Sequence, residues 1–381
     1  MRILHVFADW KWTGPAEPVL GLCRALRDRG HEVHLACPAP PPEASNSLET
    51  QARARGFEPI PGLHLRPGFH PLEIRADADA LAEWIGSRRP DLVHVHTSHD
   101  HLVGVLALRR VSGRRPPLVR TNHKGVPIAP SWGNRRLMHR TAALLGFSPR
   151  ALAKDAASFG LRPERTFAIP TALDLDRFDP ARGDGAKGRA ALGLSPADIV
   201  AGVVARVQRH RKWRELLEGF ALARKSVPRL RLVIVGRGTH REAVAERPAR
   251  ELGLGDAAVF AGYRSDDYLD VLASFDFQIF LVPGSDGTCR AAREAMAMGK
   301  PLVASRAGML PEIVDHEKTG LLAVTEPGDL AKAFRRMAED AAMRERMGNA
   351  ARRKALADYR PERQAEAVEQ AYRTILSGQF P

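Results

Sequence analysis

In the stretch DGTCRAAREAMAMGKP, from Asp286 to Pro301, two carboxylates stand eight residues apart. On a helix that spacing puts Asp286 and Glu294 on one face, with Arg290 between them. Two chemistries fit. Asp286 can be a plain N-cap, a role worth roughly 1 kcal/mol, with Glu294 a surface partner of Arg290. Alternatively, both carboxylates accept hydrogen bonds from vicinal hydroxyls, the groups that sugars and riboses offer. A cap at the start of a site-facing helix can serve both ends. The N–H groups around Gly287, Thr288 and Cys289 would then point at the same ligand, and Gly287 permits close backbone approach.

Five other places carry groups of the same kind. ARVQRHRKW sets Arg206 at a strand end and Lys212 near the next helix, a pair able to bracket a diphosphate. A basic solvated loop is the plainer reading. RTNHKG puts His123 just past a strand, where it can donate or accept near neutral pH or simply satisfy a loop backbone. SRAGMLPE places Gly308 and Met309 at a turn whose N–H groups suit phosphate, although an ordinary strand-to-helix turn reads the same way. Gly14 follows the first strand, and Gly236 and Gly238 form a G-x-G. Arg241 stands where a dinucleotide fingerprint needs its third glycine, and no G-x-x-x-x-G-K-[ST] run exists. NAD, FAD and P-loop chemistry are therefore set aside.

These residues need elements to hold them. Short apolar runs at 2–8, 91–97, 117–123, 143–148 and 166–171 alternate with amphipathic helical stretches. That alternation means parallel βαβ units. The segment 176–196 is rich in Gly, Pro and charge and reads as a linker. The pattern restarts at 198–206 and continues through 230–236, 257–262, 277–283 and 301–305. The fold class expected is α/β, with two doubly wound parallel sheets and a cleft at the carboxyl ends of their strands. The boundaries expected are 1–185 and 186–360, with a helix at 361–378 packing back on the first domain. The 381 residues carry a formal charge of +14 but do not interleave basic with aromatic residues, so nucleic acid is excluded as a partner. The odd count of three cysteines, none at metal-ligand spacing, fits a reducing cytoplasm, and no run approaches a membrane span. Trp10, Lys11 and Trp12, and the basic segment 131–145 around Trp132, suit an acceptor platform or an anionic membrane surface, while core packing is the plainer alternative.

Taken together, the residues resemble the retaining GT-B glycosyltransferases of family-4 type, over nearly the whole chain. DGTCRAAREAMAMGKPLVAS through AGMLPEIVDHEKTGLL resembles the most specific part of the family pattern, with D-x7-E where the family has E-x7-E. GVVARVQRHRKW resembles the opening of the donor domain. PDLVHVHTSHD, RTNHKG and IPTALDLDRF resemble the first domain. The resemblance implies a nucleotide-diphosphate sugar as donor substrate, a UDP-sugar ahead of a GDP-sugar, and no bound cofactor or metal. It implies that Arg206 and Lys212 neutralise the departing diphosphate and that Glu294 holds the ribose. Asp286, Gly287, Thr288 and Cys289 would hold the sugar, and His123 would sit near it. Gly14, Gly236, Gly308 and Met309 would lie along the donor. The acceptor implied is a glycan or lipid-linked saccharide of a cell-surface polysaccharide such as lipopolysaccharide, with the enzyme cytoplasmic and peripheral to the inner membrane. A sugar-nucleotide epimerase or hydrolase and a catalytically weak binding protein remain as rivals. The sequence departs from the family at Asp286, one methylene shorter than Glu. It departs again at Thr13-Gly14-Pro15, where two glycines are usual, and at Thr171, where Asn is common.

Overall fold

The computed structural model describes residues 1–12, 14–44, 46–283 and 289–378. The chain forms two compact units, Met1–Ala172 with Pro361–Pro381, and Leu173–Arg360.

The first unit runs β1 (Arg2–Val6), α1 (Ala16–Asp28), β2 (Glu32–Ala36), α2 (Leu48–Arg53), α3 (Pro71–Arg88), β3 (Leu92–Val95), α4 (Ser98–Arg110), β4 (Leu118–Asn122), α5 (Trp132–Met138), β5 (Ala143–Gly146), α6 (Pro149–Phe159) and β6 (Thr166–Ala168). The strands pair in the order β2-β1-β3-β4-β5-β6. Every pairing is parallel. β3, β4 and β5 are buried along their whole length, which is why they read as unbroken apolar runs and not as alternation. Helix α6 shows its boundaries in its residues. Ser148 caps it, Pro149 opens it, and Gly160 ends it in the left-handed conformation.

The second unit runs α7 (Gly185–Ala191), β7 (Ile199–Val204), α8 (Trp213–Ser226), β8 (Leu230–Val235), α9 (Arg247–Glu251), β9 (Ala258–Gly262), α10 (Tyr268–Ala273), β10 (Phe277–Phe280), α11 (Arg290–Ala297), β11 (Leu302–Ala304), α12 (Leu310–Ile313), β12 (Gly320–Leu322), α13 (Pro327–Glu339) and α14 (Ala341–Asp358). Its sheet has the order β12-β11-β10-β7-β8-β9, again all parallel. The core gathers Phe220 of α8, Phe277 of β10 and Phe334 of α13 around the sheet.

The segment 176–196 is not a bare linker. Residues from Leu173 onward belong to the second unit, and α7 packs against α10 so closely that a Cβ on Gly188 would stand 2.1 Å from the Asp270 carbonyl oxygen. Its glycines are spacers for helix contact and not marks of an open chain. After α14 the chain adds α15 (Pro361–Leu376) to the first unit. Val368, Ala371, Tyr372 and Ile375 are buried there, and Glu369 accepts a 2.6 Å bond from Arg29 at the end of α1.

Candidate active site

In the second sheet the strand order reverses between β7 and β10, since β8 and β9 continue to one side and β11 and β12 to the other. Ligands of open parallel sheets bind beyond the carboxyl ends of the strands at such a point. Close backbone contacts bind the loops there together. A Cβ on Gly236 would meet the Ala205 carbonyl oxygen at 2.0 Å, so the loops after β7 and β8 touch main chain to main chain. A Cβ on Gly308 would meet Pro283 at 2.8 Å, joining the loops after β10 and β11. Arg211, half-buried, donates from Nη1 to the Val282 carbonyl oxygen at 2.9 Å and ties the β7 loop to the β10 loop. Arg206, Lys212, Gly236, Gly308 and Met309 thus lie on loops that meet at one edge.

Within this edge the groups differ in character. Arg206 is exposed. Lys212 takes a left-handed φ of 59° at the start of α8, and its exposed Nζ bonds Glu215 at 2.7 Å. Glu215 raises the lysine's pKa above its ordinary value, keeping the cation charged. Left-handed geometry at a non-glycine residue is strained, and such strain clusters at functional positions. Met309 is buried at the start of α12.

Glu294 is a buried residue and not a surface one. Its side chain is 7% exposed, Arg290 Nε donates to Oε1 at 2.7 Å, and the Tyr268 hydroxyl donates to Oε2 at 2.6 Å. Each carboxylate oxygen keeps further lone-pair capacity. Burial and the Glu294 charge push the Tyr268 phenol well above its usual range, so it stays a donor. Spacing alone gave no sign of Tyr268 or Arg211, because neither contact is local in sequence.

The start of α11 corrects the capping expectation. Its N-cap position is Cys289, with φ 53°, and the first helical residue is Arg290. The helix therefore begins three residues later than an N-cap at Asp286 and a helix from Gly287 would have it. Asp286, Gly287 and Thr288 themselves lie outside the described residues.

In the first unit the order reverses between β1 and β3. Gly14 follows β1 with φ 58°. His123 follows β4, and its Nε2 lies 3.0 Å from His96 Nδ1. Behind them a histidine cluster fills the sheet, with His5, His94 and His96 buried. By pattern, HVHT reads as the end of a buried strand. Alternate histidines on a strand, H-x-H, share one face, and that was the available signal. Trp10 and Trp12 are half-buried, with Lys11 over the Trp10 ring and Arg55 over that of Trp12. Segment 131–145 is helical only to Met138, after which it enters β5. Trp132 is 74% exposed beneath the Arg136 guanidinium.

Residues 186–354 match the family "Glycosyl transferases group 1", and residues 13–177 match "Glycosyltransferase Family 4". The chain belongs to the GT-B glycosyltransferases. It is 28% identical over 303 residues to sulfoquinovosyl transferase SQD2 of Arabidopsis thaliana, covering 74% of this chain and 56% of that protein. It is 29% identical over 271 residues to a D-inositol 3-phosphate glycosyltransferase of Rhodococcus jostii, covering 65% and 57%. The chain thus spans little more than half the length of these relatives. Anabaena Alr3699/HepE, solved in complex with UDP and glucose, matches with a TM-score of 0.78 at 22% identity, covering 97% of this chain and 98% of that one. That likeness bears out the GT-B fold expected from the sequence. Among the described residues no helix is long and apolar enough to cross a membrane.

Proposed function

We propose that this glycosyltransferase moves a sugar from a nucleotide-diphosphate sugar to a glycan or glycolipid acceptor, with retention of configuration, in the building of a cell-surface polysaccharide such as lipopolysaccharide. The observation that carries the reading is the meeting of the β7, β8, β10 and β11 loops at the switch point of the second sheet, with a buried, doubly bonded Glu294 nearby in the chain at α11. Glu294 accepts from the ribose hydroxyls, and Tyr268 and Arg290 hold its carboxylate in place. Arg206 and Lys212 take up the charge of the departing diphosphate, together with the main-chain N–H groups at the starts of α8 and α11. These groups replace a bound metal. Asp286 and the N–H groups after it hold sugar hydroxyls, and His123 meets the transferred sugar. The acceptor hydroxyl forms the new bond to the anomeric carbon as the bond to the phosphate oxygen breaks, and its proton passes to that oxygen. A UDP-sugar is the first donor to test, on the analogy of HepE, with a GDP-sugar second. The exposed Trp132 and the arginines of α5 suit an anionic membrane surface, which would place the enzyme at the inner face of the membrane.

The test is transfer from labelled UDP- and GDP-sugars to a panel of glycan and lipid-linked acceptors, with and without EDTA. Transfer that survives EDTA and is lost in Glu294→Ala and Lys212→Ala supports the reading, and full activity in both variants sinks it. Rapid, complete epimerisation or cleavage of donor without acceptor would favour a sugar-nucleotide epimerase or hydrolase instead.

A further inference from the structure

Between β7 and α8 the chain places Arg206, Arg209, Arg211 and Lys212, and of these only Arg211 is withdrawn from the surface. The left-handed backbone at Lys212 marks where two consecutive cations part. Lys212 turns to Glu215 on α8, whereas Arg211 reaches the chain beyond β10, where its Nη1 donates to the Val282 carbonyl oxygen at 2.9 Å. With Val282 it lines a crevice between the carboxyl ends of β7 and β10, the two strands of the switch point.

The charge of Arg211 has no counterion. Among the described residues its side chain forms no ion pair and no hydrogen bond besides that to Val282. Nε is buried without a partner, and Nη2 bonds nothing. Burial lowers the pKa of the guanidinium, nearby Cys289 raises it, and nearby Arg206 lowers it further. Its neighbours in space are therefore a second cation and the uncapped start of α11. A guanidinium remains charged even so, and a desolvated charge is costly until an opposite charge meets it. Trp213 adds another donor. The residue is 3% exposed, lines the same crevice, and keeps its indole N–H buried without a partner. Donors thus gather here without acceptors. The crevice itself, about 20 Å³, holds a water and no more. An anion must therefore meet Arg211 from the outer side, where Nη2 is unpartnered.

We propose that Arg211 is a third cation of the donor site, beside Arg206 and Lys212, and that its guanidinium binds the diphosphate of the sugar nucleotide. The proposal rests on the reading that the donor is a nucleotide-diphosphate sugar. The competing role is a brace between the loops after β7 and β10. A brace needs one donor to Val282, which a neutral amide would supply without burying a charge.

The experiment uses the full-length protein and isothermal titration calorimetry with UDP and GDP, together with ligand-observed NMR of uridine and guanosine. The wild type should bind one of the diphosphates. Arg211→Gln keeps an amide donor and removes the charge. It should weaken that diphosphate by on the order of tenfold or more, while the matching nucleoside binds as before. Arg211→Lys should recover most of the loss, because it restores the charge. Diphosphate binding unchanged in Arg211→Gln, with Lys212→Ala impaired, overturns the proposal alone and leaves Arg211 a brace. Equal losses for diphosphate and nucleoside overturn it too, since they mark a disturbed loop. If Arg211→Gln does not fold, the wild type decides by nitrogen-15 NMR. The Arg211 Nε–H signal, assigned by its loss in Arg211→Lys, should move with the diphosphate and not with the nucleoside, and a signal that stays put sinks the proposal. A wild type that binds neither diphosphate removes the donor reading and the proposal together.

Discussion

The two units share an architecture and treat their helix starts in opposite ways. In the first, the helices that follow β3, β4 and β5 close their own N-termini. Asp100 accepts from the Thr97 N–H at 2.6 Å, Ser131 from Asn134 at 3.3 Å, and Ser148 from Ala151 at 3.1 Å. In the second, α8, α10, α11, α12 and α13 begin without a side-chain cap among the described residues, at Lys212, Asp267, Cys289, Met309 and Glu326. A helix start leaves several N–H groups unsatisfied unless a side chain, water or ligand meets them. The first unit supplies acceptors to these helices, whereas the second supplies them only to α7 and α14, through Asp184 and Asp340, and leaves the helices that follow its strands to solvent or to an anion. In the first unit α1, which follows Gly14, is likewise uncapped. Under the proposed function, the uncapped starts at Lys212 and Cys289 are the ones that would meet the diphosphate.

Removing cations and carboxylates from the open side should produce the largest effects. Lys212→Ala should lower transfer by about a hundredfold or more, as loss of a charge-stabilising donor does. Its melting temperature should barely move, because the exposed pair with Glu215 contributes little. Glu294→Ala should lose transfer as completely. A Lys212→Ala protein that unfolds early would make that helix start structural and dissolve the contrast.

Next in size is ligand stabilisation. A nucleoside diphosphate at a hundred times its Kd should stabilise the protein by about 2.7 kcal/mol. Hydrogen exchange should slow at 206–213 and 289–294 and stay unchanged at 98–101 and 149–152. Equal protection in both sets would blur the distinction.

Smaller again is a pH effect confined to the first unit. Hydrogen bonds from Arg373 and Arg29 hold the Glu369 carboxyl down to about 2, below its ordinary 4.5. A depressed acid stabilises the fold above its unfolded value and loses that contribution as pH falls through the folded one. Acid between about 4.5 and about 2 should therefore loosen α15 from α1. Glu369→Gln should cost about 1–2 kcal/mol at neutral pH and flatten that part of the denaturation profile. An unchanged profile would show that apolar burial alone holds α15. The smallest effect is Ser148→Ala, which should cost about 1 kcal/mol of stability and leave transfer untouched.

Where interactions are local, the sequence was legible. The buried strands stood out as apolar runs, and Ser148, Pro149 and Gly160 mark both ends of α6. Illegible were the features made by distant pairs. β12 is only Gly320–Leu322, too short for a period to register. Gly188 looked like linker because its reason, the Asp270 carbonyl, lies far along the chain. Glu294 was found by its spacing from Asp286, yet its buried setting depends on Tyr268, which no spacing announces. Cys289 takes the N-cap position in a left-handed conformation that its residue type does not advertise.

The return of α15 also bears on how the protein is made. Tyr372, which bonds His94, leaves the ribosome only after the whole of the second unit. The second unit is continuous in sequence and can condense during synthesis. The first must wait with its histidine-bearing strands in place and one helix missing, exposing the side of α1 against which α15 will pack. A chaperone that captures nascent chains would find its target in that interval, on the half of the protein synthesised first.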